Sequence, residues 1–524
     1  MAGYEWQHFY NDSYYIGNGW YQPTCTKTDS KGNPMAGKMA NYTTSSGKTE
    51  SYLVSFFGRV NYIGWNQLMV TATFRADGSS RFAPNNRWGY FPSVALGWKI
   101  KETFMKDVHW LNDLKLRLGY GITGQQEGIA DYAYMATFVK SGDYTVYYPV
   151  GGENNFATTD LDLNNVEHVT DQNGNELYYS LRPKAYNYDL TWEKTTTYNA
   201  GIDFSFLNNR ISGAVDYYYR ITKDLLNEVP VAGGTNFRNK VVQNVGTLTN
   251  QGVEFSINAV VLDYGKKFKW DLGYNFTWNE NKITSLNTGK DQTPIPTGGI
   301  GVGMDNNVQR HAVGYPISSF YVYETKQAVR QNGEKYWYFV DRTGDGVIDE
   351  NDKYYYHSAA APFTMGFQMK FQFYDFDLGM SFRASIGNYV YNNVKASNLQ
   401  FVPGSMYNQG KYFRGILANS FYAYNADNIG PNKVYMNEAG TGTTSSEWYF
   451  ADYFVENASF LRCDNITLGW SFQRPKISGR VYATVSNPFV ISKYSGLDPE
   501  IFGGIDSSIY PRSMTTILGV NLQF

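Results

Sequence analysis

The stretch LKLRLGYGIT, Leu114 to Thr123, decides how the rest of the chain is read. Leu114, Leu116, Leu118, Tyr120 and Ile122 fall on one side of an extended backbone, and Lys115, Arg117, Gly119, Gly121 and Thr123 on the other. Successive strand side chains point to opposite faces, so this is a two-faced strand with one side wholly apolar. Such a strand suits a half-buried sheet in water. It also suits a membrane strand with lipid outside and water inside. The choice depends on how many strands of this kind the chain holds and how they are joined.

There are many. WDLGYNFTWN sets Trp270, Leu272, Tyr274, Phe276 and Trp278 against Asp271, Gly273, Asn275, Thr277 and Asn279. FDLGMSFRASIG sets Phe376, Leu378, Met380, Phe382, Ala384 and Ile386 against Asp377, Gly379, Ser381, Arg383, Ser385 and Gly387. GVEFSINAVV, GIDFSF and LMVTATFR repeat the pattern. About fourteen such strands are expected, each near the ~10 residues that cross a bilayer at a tilt.

The connections sort by length. GWNQ (64–67), LNNR (207–210), LDYGKK (262–267), FYD (373–375) and RPKIS (474–478) are tight, and 102–113 is a little longer. Between them lie polar stretches near 78–90, 124–190, 222–247, 281–362, 392–457 and 490–511. Short and long alternate, as in a transmembrane β-barrel with short turns on one rim and long loops on the other. A soluble sandwich has no reason to sort loops by parity. The final ILGVNLQF (517–524) is one more alternating strand, ending on an aromatic suited to an interface.

Bulk properties exclude other classes. The chain has 524 residues, a formal net charge of −2, 46 Tyr, 33 Phe and 51 Gly, a mix that favours strands over helices. So small a net charge points to no nucleic-acid partner. No run of 18 apolar residues exists, which rules out membrane helices but not membrane strands. Cys25 and Cys463 could form at most one bridge, and the opening MAGYEWQHFY has no signal-peptide character. The five histidines are scattered, and no nucleophile elbow or zinc-protease motif occurs, so no enzyme is expected.

FGRVNYIGWNQLMVTATFRADGSSRFAPNNRWGYFPSVALGW (57–98) resembles a recurrent block of the SusC/RagA-type TonB-dependent outer-membrane transporters of Bacteroidetes. LKLRLGYGITGQQEG (114–128), VGTLTNQGVEFSINA (245–259), DRTGDGVIDENDK (341–353) and YSGLDPEI (494–501) follow in the family's order. The resemblance implies a 22-stranded barrel with a plug domain and TonB box, of which residues 1–524 would be the C-terminal part of the barrel alone. It implies oligosaccharide uptake, with peptide as the alternative, a SusD-like surface lipoprotein as partner, and TonB acting through the plug. On this reading the 524-residue chain alone does not import substrate. A porin-like or structural barrel is the rival reading.

Three residue sets follow. In DRTGDGVIDEND, Asp341, Thr343, Asp345, Val347 (carbonyl), Asp349 and Asp352 fall at positions 1, 3, 5, 7, 9 and 12 of a Ca²⁺ loop, with Gly346 at the turn. Thr343 at position 3 and Asp352 at 12 depart from the pattern, and the alternative is an acidic turn without an ion. Arg75, Lys115, Arg117, Asp203, Asp216, Arg220, Glu254, Asp271 and Arg383 lie on the polar faces of the strands. There they would meet water or, as the resemblance implies, the plug. Loop aromatics, among them Tyr144, Tyr147, Tyr148, Trp448 and Tyr449, offer ring faces to sugars or peptides, or pack among the loops themselves.

Overall fold

The computed structural model describes residues 1–16, 20–21, 39–40, 44–140, 148–149, 168–170, 176–178, 181–238, 240–286, 292–300, 307–329, 335–346, 348–398 and 447–524. Fourteen strands form one antiparallel sheet in strict chain order. They are β1 (Ala2–Ile16), β2 (Thr44–Gly64), β3 (Leu68–Ser79), β4 (Trp88–Lys99), β5 (Leu111–Gln125), β6 (Glu193–Phe206) and β7 (Ile211–Lys223). Then follow β8 (Thr247–Asp263), β9 (Lys269–Ser285), β10 (Phe363–Phe373), β11 (Phe376–Ile386), β12 (Phe460–Arg474), β13 (Ile477–Ser492) and β14 (Thr515–Gln523). Each strand pairs with the next, and β1 and β14 have one neighbour each among the described residues.

Antiparallel order puts alternate connections on opposite rims. One rim carries the short ones: residues 65–67, 207–210, 264–268, 374–375 and 475–476, with 100–110 somewhat longer. The other carries 17–43, 80–87, 126–192, 224–246, 286–362, 387–459 and 493–514. The tight turns have the chemistry they need. Trp65 and Asn66 take φ of 51° and 57°, and the Gln67 N–H donates to the Gly64 carbonyl at 3.0 Å. This is a mirror-image two-residue turn whose twist matches its strands.

The apolar faces of the strands are bare. Phe74, Tyr90, Leu118, Tyr120, Tyr198, Ile202 and Val215 are all exposed. Large apolar side chains exposed across so many strands are stable only against lipid. Aromatics gather near the short-turn rim, with Trp110 against Phe206 at 5.6 Å, Trp270 against Phe371 at 5.6 Å and Trp470 against Phe472 at 5.3 Å. Towards the other rim Phe56 stacks on Trp88 and Phe276 on Phe363. Such girdles mark the two membrane–water interfaces.

The long-loop rim holds more regular structure than its polar sequence suggests. A four-stranded sheet joins Ile295–Gly299, Asn307–His311, Ser319–Tyr323 and Lys353–Ser358. A hairpin, Tyr389–Tyr391 with Val455–Asn457, comes from the β11–β12 connection. These meet in one apolar core of Val308, Phe320, Val322, Tyr323, Phe339, Tyr391, Phe450 and Phe454, with Ile505 of the β13–β14 connection against it. Three connections thus build a dome with its own buried interior.

Candidate functional site

The nine polar-face residues singled out above all lie opposite the exposed apolar face, and the register decides which of them meet. Gly201 of β6 stands between Arg117 of β5 and Asp216 of β7. Arg117 reaches across it, Nη2 to Asp216 Oδ2 at 2.8 Å, while its Nε donates to Asp203 at 2.9 Å. Lys115 Nζ lies 3.5 Å from the other Asp203 oxygen. A Cβ on Gly201 would sit 2.2 Å from Asp216 Oδ1, so only glycine lets this bridge form. The device recurs at the far side of the wall. Arg480 of β13 makes two bonds to Asp377 of β11, at 3.0 and 2.6 Å, over Gly469 of β12.

The remaining residues are held separately. Arg75 bonds Asp77 at 2.7 Å, Glu5 at 3.1 Å and Ser55 at 2.8 Å. Asp271 pairs with Lys269 at 3.3 Å, and the Arg220 guanidinium lies 4.7 Å from the Tyr218 ring centre. Glu254 stands opposite Asp216 in register and is exposed. Arg383 bonds Asp464 at 2.9 Å and also Glu500.

That last contact ties the β13–β14 connection to the wall. Asp498 and Glu500, from the YSGLDPEI stretch, receive Arg462, Arg383 and Arg512. Arg462 and Asp498 are both buried, 2.6 Å apart. A buried pair that loses one partner leaves an uncompensated charge, so the connection is held firmly. Three arginines balance Asp464, Asp498 and Glu500. Sequence reading missed these acids because no spacing links residue 500 to residue 383. Asp377 and Arg480 were within reach, since both sit on the polar faces of alternating strands.

The acidic loop folds on itself. Asp352 is fully buried and accepts the Arg342, Thr343 and Asp349 N–H groups at 2.8, 3.0 and 2.9 Å. Asp341 accepts from the Gly344 and Gly346 N–H groups at 2.6 and 2.7 Å, which hold its carboxyl below the usual range; the Gly346 bond is the largest cause. Asp349 caps the turn by accepting from the Asn351 N–H at 2.8 Å. Among the described residues no three acidic, His or Cys side chains converge on one point. Val347 lies outside those residues. Asp341, Asp349 and Asp352 of the acidic loop accept from the loop's own backbone, as an acidic turn does with or without an ion.

Of the loop aromatics, Tyr144 and Tyr147 lie outside the described residues, and only the backbone of Tyr148 and Trp448 is described. Tyr449 is a correction. It is buried in the dome core, with its carbonyl accepting from the Tyr391 hydroxyl, so its ring offers no open face to a solute.

A model of the TonB dependent receptor-like β-barrel matches residues 1–345. The chain belongs to this family of TonB-dependent receptors. Within it the chain is of the SusC/RagA type. It is 46% identical to TonB-dependent receptor SusC of Bacteroides thetaiotaomicron, over 100% of this chain and 48% of that protein. TonB-dependent receptor P3 of Formosa agariphila is 28% identical over 100% of this chain and 50% of the relative. The structure of the RagAB peptide transporter shares the fold, with a TM-score of 0.72 at 24% identity, covering 100% of this chain and 53% of that one. The chain spans about half the length of the curated relatives it matches. Those relatives are receptors rather than enzymes, and the chain stands with them.

Proposed function

We propose that this receptor chain forms part of an outer-membrane importer that takes up oligosaccharides, driven through TonB and working with a SusD-like surface lipoprotein. The observation that carries the reading is the 46% identity to SusC along the whole chain. The wall suits such a role, being apolar outside and carrying a charged inner face whose ions are largely cross-linked strand to strand. A wall so braced keeps its shape while a solute and a moving inner domain pass it.

Peptide import is the second reading, supported by the fold shared with the RagAB peptide transporter. Sequence weighs against it, since identity there is 24% against 46% for SusC. The test is uptake in the native host. Disrupting the gene should abolish uptake of labelled oligosaccharides and leave labelled oligopeptides unaffected, and a protonophore should abolish uptake in the parent. Loss of peptide uptake alone would replace the glycan reading. Affinity capture of the intact protein should bring down a lipoprotein encoded beside it.

A further inference from the structure

Within that glycan reading, we propose that the dome carries a saccharide platform made by Tyr315, Tyr355, Tyr321 and Arg310. Tyr321 and Tyr355 are register partners on one face of the dome sheet, with ring centres 5.0 Å apart. Tyr315, from the turn between the second and third dome strands, folds back and stacks on Tyr355 at 3.9 Å and 24°. On the other side the Arg310 guanidinium lies 3.9 Å from the Tyr321 ring centre. Tyr315 and Tyr355 thus stack, Tyr321 adjoins them at a tilt of 50° with Arg310 over its ring, and Tyr315 at the end is 40% exposed.

The stack is held in place rather than resting loosely. The Tyr315 N–H donates to the Ala312 carbonyl at 3.2 Å, and the Ile283 N–H of β9 donates to the Tyr315 carbonyl at 2.9 Å. The Ile317 N–H donates to Asn281 of the same strand at 2.9 Å. The Tyr321 hydroxyl donates to the Glu350 carbonyl at 3.3 Å. A ring whose backbone is tied to the wall and which stacks on a neighbour loses less freedom on binding, which is where a weak stacking contact normally forfeits affinity.

The chemistry selects the occupant. The negative face of an aromatic ring attracts the C–H groups that line one face of a pyranose. Arg310 pairs with Glu350, 3.2 Å away, whose side chain is 62% exposed and also pairs with Lys353. The platform thus offers a ring face, guanidinium donors and a carboxylate acceptor held between two cations. That combination matches a neutral sugar with adjacent hydroxyls. A charged peptide terminus would have to displace Glu350 or Arg310 from its partner.

The test uses the intact receptor in detergent, titrated calorimetrically with neutral hexose hexamers of four linkages and with a tetra-alanine control. At least one hexamer should bind. Tyr315→Leu, which keeps apolar bulk but removes the ring face, should weaken it about five- to tenfold, the worth of one aromatic contact. Tyr315→Phe should bind as wild type does. Hexamer binding that is equal in wild type and Tyr315→Leu would overturn the platform and leave glycan import standing. Binding of tetra-alanine with no hexamer would sink the glycan reading and the platform together.

Discussion

The wall and the dome solve opposite problems with one chain. Of the largest fully buried side chains, including Tyr323, Tyr391, Phe82, Phe320, Phe339 and Phe454, all lie in connections except Ile283, at the rim end of β9. The wall needs no core of its own. Lipid takes its apolar face, and each backbone group away from a free edge pairs with a neighbouring strand, as a nonpolar medium demands. The dome stands in water and must bury its own side chains to offset chain entropy. The strands are therefore two-sided, while the connections read as polar loops and yet hold the largest buried apolar cluster among the described residues.

If the two regions are energetically separate, the dome can be damaged alone. Phe454 is fully buried beside Tyr391 and Tyr453. Phe454→Ala should cost the dome about 3–5 kcal/mol. Hydrogen exchange should show the dome strands losing protection while β4 to β8 keep theirs. Loss of both together would mean that the wall depends on the dome.

A smaller blow falls on the acidic loop. Asp352→Asn removes a charged acceptor from three backbone N–H groups and should cost about 1.5–3 kcal/mol, read as faster proteolysis near Arg342. Calcium titration of wild type against Asp345→Ala decides whether this turn also takes a cation, equal heats being expected of a turn without an ion. A calcium-dependent difference would show that binding reorganises the loop.

The wall was legible because its code is local. Period-two alternation in Leu114–Thr123 or Trp270–Asn279 names the faces, and loop parity names the rims. The dome was not legible, because its strands are about five residues long and its partners come from three connections. Phe320 and Val322 alternate with Tyr321 and Tyr323, but so short a run cannot say what it packs on. In the acidic loop the motif shows spacing alone: Asp341 and Asp349 sit at the expected positions, and their bonds to the surrounding backbone donors could not be read from it. Parity put the nine charges on one face of the strands, but their pairing needed the register, and Gly201 carried that information without looking chemical.

That glycine sharpens the comparison from the wall side. Gly201→Ala puts a methyl 2.2 Å from Asp216 and 2.9 Å from Arg117, so the bridge must break or the strands must shift. The cost should be about 1–3 kcal/mol, measured as a lower melting temperature in detergent. Gly119→Ala, on the same inner face, meets only the Asn199 Cβ at 3.7 Å and should change little. Equal effects would mean that strand propensity, not the bridge, sets the value of these glycines.

The smallest effect expected is a pH response confined to the dome. His311 is half-buried at the end of the second dome strand, and burial lowers its pKa below the ordinary value. Its Nδ1 accepts the Ser318 N–H at 3.2 Å, so that nitrogen holds a lone pair in the fold. His357, stacked on Tyr389 at 3.6 Å, is lowered by burial as well. As pH falls through about 6.5 the unfolded dome takes up these protons first, while the folded dome resists. Stability is therefore lost from that point down to the folded pKa values. Asp452 works the other way. Burial raises its pKa despite the bonds from Thr325 and Tyr354. The folded dome thus binds that proton at a higher pH than the unfolded one, so acidification towards the ordinary carboxylate range offsets part of the loss. Hydrogen exchange between pH 7.5 and 5 should show dome protection falling with acidification, with the wall strands unchanged. His311→Gln should flatten the initial fall. An unchanged slope in that variant, or a matching fall in the wall, would place the titrating group outside the dome.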